Sequence, residues 1–108
     1  MKINLDKALQ AVDGKPFKQL SNGKIEDWAP TLKEILFRSV TQATEEDMRS
    51  HRSSVEKMKL FKLSVKLASA NGVADFELDE VALMKARLEK TVDDIQIFGL
   101  VSEMLEGT

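Results

Sequence analysis

The chain contains no cysteine, and that absence removes thiolate nucleophiles, zinc–thiolate sites, disulfides and thiol redox switching together. It is also poor in backbone punctuation, with two prolines and five glycines among 108 residues, so long stretches can run as uninterrupted helix. Aromatic residues are few, one Trp and five Phe. No stretch approaches the roughly 18 consecutive apolar residues that span a bilayer, and the N-terminus MKINLDKALQ lacks the apolar core of a signal peptide. The expectation is a cytoplasmic protein without a membrane segment. The length allows one compact domain over residues 1–108 and one core, without a need for disulfides or a structural metal.

A large excess of one sign of charge is missing as well: 16 Lys and Arg against 18 Asp and Glu give a formal net charge of -2. It is unevenly spread, however, at +4 over residues 1–74 and -6 over residues 75–108. A general nucleic-acid binder needs a continuous basic face, so this split argues against one and suits electrostatic steering of a protein partner.

The hydrophobic pattern predicts a mainly α fold. It consists of a small helical core of three to four helices over residues 31–108, preceded by an extended arm or β-hairpin over residues 1–30. In the arm, Ile3 and Leu5 alternate, Asp13-Gly14 is a turn signal, Pro16 forbids a helix, and Ser21-Asn22-Gly23 forms a second turn. Thr31 and Glu34 have capping-box spacing, and Leu32, Ile35, Leu36 and Val40 make the apolar face of the first helix, which Phe37 broadens towards two neighbours. The polar stretch from Gln42 to Ser53 reads either as loop or as a helical extension.

Ser53 and Glu56 open the central helix, which runs to Ala70 before Asn71-Gly72 stops it. Its apolar residues, Val55, Met58, Leu60, Phe61, Leu63, Val65, Leu67 and Ala68, occupy much more than half of the circumference, and Lys59, Lys62 and Lys66 share one narrow stripe. On that pattern this helix is the hub of the core and the lysines are its one wet edge. Residues 73–78 form a connector able to pair with the N-terminal arm. The third helix starts near Asp79 with a Leu78–Leu83 staple and an inward stripe of Val81, Met84 and Leu88. The last begins with a Thr91–Asp94 capping box, carries a stripe of Ile95, Phe98, Val101 and Leu105 that Ile97, Leu100 and Met104 widen, and ends at Gly107.

The motifs that carry chemistry are weak. Asp75, Glu77 and Asp79 alternate like the first ligands of a calcium loop, but Glu80 stands where the loop needs Gly and Ala86 where it needs a bidentate Glu. A helix-turn-helix around Asn71-Gly72 would lead its second helix into DNA with Glu77, Asp79 and Glu80, which phosphates repel. His51, the single histidine, lies in the polar run Arg49-Ser50-His51-Arg52 and reads as solvated. The carboxylates of Glu45, Glu46 and Asp47, and of Asp93 and Asp94, read as helix N-terminal charge. No phosphate loop or metal-ligand constellation is recognisable, so no catalytic residue, cofactor or metal is expected. The candidate partner-binding residues are Lys59, Lys62, Lys66 and Trp28, beside an excess of apolar surface that so few helices cannot all cover.

The order of signals resembles a loose class of short phage and prophage proteins. The features that carry this resemblance are Asp13-Gly14-Lys15-Pro16, the Thr31-Leu32 helix start, the Lys- and Leu-rich run from Lys57 to Leu67, Glu77-Leu78-Asp79, and the closing Leu105-Glu106. They span nearly the whole chain, are turn and cap signals rather than chemistry, and transfer no functional residue. The resemblance implies a phage setting in the host cell. The expected function is that of a non-enzymatic accessory protein that binds a host or viral protein. The alternative is a homo-oligomeric virion or tail or head assembly factor, and a nucleic-acid binder is a minor third reading.

Overall fold

The computed structural model of the chain describes residues 1–42 and 53–106. Readings made for residues 43–52, including Met48, His51 and the Glu45–Asp47 carboxylates, and for Gly107 lie outside the described residues. Among those described are four helices and two small antiparallel sheets, a mainly α architecture.

Strand β1 (Lys2–Asn4) alternates, with Ile3 inward and its neighbours outward, and pairs antiparallel with β4 (Val73–Asp75) in the register Ile3 to Ala74. The connector therefore joins the N-terminal arm, as its partly alternating sequence predicts. The chain then crosses the start of α1 (Leu32–Thr41), a crossing with a clear physical reason. A helix leaves its first N–H groups without internal partners. Here the Leu32 and Lys33 amides donate to the carbonyls of Lys7 (2.9 Å) and Leu5 (3.0 Å), while Thr31 Oγ1 accepts from the Glu34 amide at 3.3 Å. The Glu34 carboxylate accepts in return from the Thr31 amide, completing the predicted capping box.

The hairpin lies further along than the Asp13-Gly14 signal suggests. Its strands are β2 (Phe17–Ser21) and β3 (Lys24–Trp28), joined through Asn22 and Gly23. Both turn residues have positive φ, 51° and 77°, which gives the two-residue turn that matches strand twist. The ribbon is anchored at its base, where Phe17 is buried and packs with a half-buried Trp28, ring centroids 6.4 Å apart. Near its tip, Leu20 and the opposing Ile25 are each 76% exposed.

Helix α1 buries the expected Leu32, Ile35, Leu36 and Val40 and packs on both α2 (Ser54–Ser69) and α3 (Leu78–Thr91), although Phe37 itself stays largely outside. Helix α2 departs most from expectation. It buries Leu63, Ser64 and Leu67 only, so it is not the hub of the core. The centre is shared instead by α1, by α3 through Val81, Met84 and Leu88, and by arm residues Leu5 and Leu9. The helix stops as predicted, with Gly72 at φ 65°.

Two other sequence signals fail for a local reason. Helix α3 starts one residue early, at Leu78, so Leu78 is 83% exposed and the buried residues at the staple positions are Phe76 and Val81. Thr91 ends α3 rather than capping α4 (Ile95–Leu105): its hydroxyl donates to the Arg87 carbonyl at 2.8 Å, and Asp94 caps α4 by accepting from the Ile97 amide. With that start, Ile97, Val101 and Leu105 turn inward and Ile95 is 86% exposed.

Candidate functional site

The three lysines singled out from sequence do meet at one place. They lie along α2 on the wall of an open groove of about 680 Å³ between α2 and the start of α3. Its opposite wall carries Glu77, Asp79 and Glu80, and its floor is Leu63 with Leu83 and Ala82. The elements explain the sign of each wall. Lysines suit the exposed length of a helix because their stems cover apolar surface while the ammonium stays wet. Carboxylates suit the N-terminal turn of α3, where the helix dipole favours negative charge.

The walls are stitched at one point. Lys66 donates to Glu80 Oε1 at 2.8 Å and lies over the face of Phe76, with Nζ 4.7 Å from the ring centroid. Burial pushes the Glu80 carboxyl up, but the Glu77 amide that donates to it and the Lys66 ammonium outweigh this and hold it below its ordinary value. Asp75, next along the connector, is also lowered, by the hydrogen bond and charge of the Met1 amino group 3.0 Å away. Lys66 is thus committed to the fold, whereas Lys59 and Lys62 point to solvent at the rim. The facing carboxylates break up the cationic surface that a phosphate backbone would need.

Trp28 is not part of this groove. It borders a smaller cavity of about 230 Å³ with Ile35, Arg38 and Thr91, and packs against the core. Its aromatic body serves to fasten the hairpin.

Behind the lysines, the structure reveals a surface the sequence hid inside an apparently all-round apolar helix. Val55, Met58, Phe61 and Val65 are 66%, 50%, 59% and 49% exposed. Met58, Phe61, Val65 and the exposed Ala68 recur at spacings of three and four, one straight seam on the side of α2 away from Leu63 and Leu67. The helix therefore has two apolar stripes, and only one faces the core.

Sequence reasoning missed Arg87. It is 3% exposed, its Nε donates to the Ser39 carbonyl at 3.2 Å, and its Nη2 donates to the Gln42 carbonyl. A buried guanidinium here satisfies the carbonyls that α1 leaves unpaired at its C-terminus. The signal was present, since Arg87 follows Met84 by three residues and so falls on the inward stripe of α3. Lys33 acts likewise at the end of α2, donating to the carbonyls of Ala68 and Ala70 at 3.0 and 2.8 Å.

Among the described residues no cluster of His, Asp and Glu is disposed to hold a metal, and no helix is long and apolar enough to cross a membrane. Comparison with models of protein families, with curated proteins and with solved structures finds no match, so the site's own geometry carries the functional argument.

Proposed function

We propose that this protein is a non-enzymatic binding module whose outward α2 seam docks on another protein. The observation that carries this reading is the exposure of Met58, Phe61 and Val65 in one register on a well-capped helix. A soluble domain seldom leaves such a contiguous apolar strip to water unless something covers it. Lys62 at its edge, with Lys59 beyond it, supplies the polar rim typical of a protein interface. The setting we propose is a phage one, an accessory protein acting on a host or viral protein in the host cytoplasm, and it rests on the layout from Asp13-Gly14-Lys15-Pro16 to Leu105-Glu106.

The test is light scattering behind size-exclusion chromatography, first over a concentration series and then with lysate of infected cells. The wild-type chain is expected to be monomeric alone and to shift in lysate, and Phe61→Asp is expected to abolish the shift. A Phe61→Asp chain that behaves as wild type in both runs would sink the reading.

A second reading, self-assembly, is favoured by the hairpin, whose exposed Leu20–Ile25 pair stands near the tip of a two-stranded ribbon whose outer edges pair with no other strand among the described residues. It predicts a concentration-independent oligomer that Leu20→Ser with Ile25→Ser dissolves and Phe61→Asp leaves intact.

A further inference from the structure

Building on the proposed docking role of α2, we infer that the occupant of its outer seam is an acidic amphipathic helix of another protein. At about 100° per residue, Met58, Phe61, Val65 and Ala68 form a narrow stripe that Lys57 borders on one side and Lys62 on the other, with Lys59 beyond Lys62. All three lysines are exposed, and none has a carboxylate within ion-pair distance among the described residues. The charge that α2 itself places beside the seam is thus positive on both flanks. The acidic wall of the groove, Glu77 and Asp79, stands beyond the lysines rather than beside the apolar residues.

The shape of the seam selects a helix. Apolar residues alternating at three and four present ridges that a second helix fills at a small crossing angle, with its own flanking positions level with the lysines. From Met58 to Ala68 the seam rises about 15 Å, three turns of partner. Glutamate or aspartate at those flanks meets Lys57 on one side and Lys62 on the other, whereas lysine there meets like charge.

A second copy of this chain is the poorer occupant. A two-fold axis along the seam sets each surface against itself, so Lys57 and Lys62 face the same lysines of the other copy. The charge on the page therefore favours a partner of opposite sign over a self-pair.

The experiment uses the full chain and two labelled peptides of about 20 residues, long enough to hold a helix on contact. Both carry leucine at the a and d heptad positions; one has glutamate and the other lysine at e and g. Fluorescence anisotropy is expected to show the glutamate peptide binding about tenfold tighter or more, a gap that narrows between roughly 0.05 and 0.5 M salt. Phe61→Asp is expected to abolish binding with helicity retained by circular dichroism, and Lys57→Glu with Lys62→Glu to turn the preference towards the lysine peptide. Equal binding of both peptides, lost in Phe61→Asp, would overturn the acidic partner while leaving the docking face standing. Binding of the glutamate peptide that Phe61→Asp does not disturb would overturn the seam as its site. No binding of either peptide would overturn the inference too. In that case the chromatography of wild type against Phe61→Asp decides separately whether the face docks on anything.

Discussion

At the scale of single residues, Arg87 and Lys66 show how charge is used inside the fold of a chain that is nearly a third charged. Arg87 closes the C-terminal end of α1 from inside, through a buried bond to the Ser39 carbonyl and a part-buried one to Gln42. Arg87→Met, similar in volume but without donors, is expected to leave buried carbonyls unpaired and to lower stability by about 2–4 kcal/mol, measured by urea denaturation. Lys66 and Glu80 form a partly buried pair, worth about 1 kcal/mol or less. Because the folded carboxyl of Glu80 lies below its ordinary value, the pair stabilises fully above the usual glutamate range. That contribution is lost as the pH falls through this range and below it. Denaturation at neutral pH and near pH 3 is expected to show Glu80→Gln less stable than wild type only at the higher pH, and a gap unchanged by acid would refute it.

At the scale of elements, α2 holds the question of function because its two stripes have opposite fates. Leu67 is wholly buried and Val65 half exposed on the same helix. Leu67→Ala is expected to cost about 2–5 kcal/mol, whereas Val65→Ser is expected to stay within about 0.5 kcal/mol, both read from thermal melts. Equal losses would mean that the outer stripe is packed in the isolated chain. Much of each element was legible in sequence because caps and stops are local. Thr31 with Glu34, Ser53 accepting from the Glu56 amide, and Gly72 act within a few residues of chain. The failures at Leu78 and Thr91 are failures of register by a residue or three, where a competing local bond, the Glu80 carboxylate on the Glu77 amide or the Thr91 hydroxyl on the Arg87 carbonyl, moved the boundary.

For the whole molecule, the arm is interwoven with the helices rather than attached to them. Ile3, Leu5 and Leu9 belong to the core, and β1 is locked to β4 across more than 60 residues of sequence. The hairpin is different: among the described residues its strands pair only with each other, and its tip is wet. The Cα radius of gyration of 14.4 Å exceeds the roughly 13 Å of a compact chain this long, which fits a projecting ribbon. Native-state hydrogen exchange is expected to release the amides of β2 and β3 well before those pairing β1 with β4, and the reverse order would show the hairpin to be held by contacts beyond its base. The candidate site divides in the same way. Its lysines could be read from periodicity, since every third or fourth residue of α2 shares a face whatever the neighbours. Sequence alone thus determined the helices, the caps of α1 and α2, the turns at Gly23 and Gly72 and the lysine stripe, all set by interactions between residues a few positions apart. Which of the two apolar stripes of α2 is buried, where Trp28 packs, and that Arg87 lies inside were decided only by the tertiary structure, because burial depends on which distant segments arrive to cover a surface.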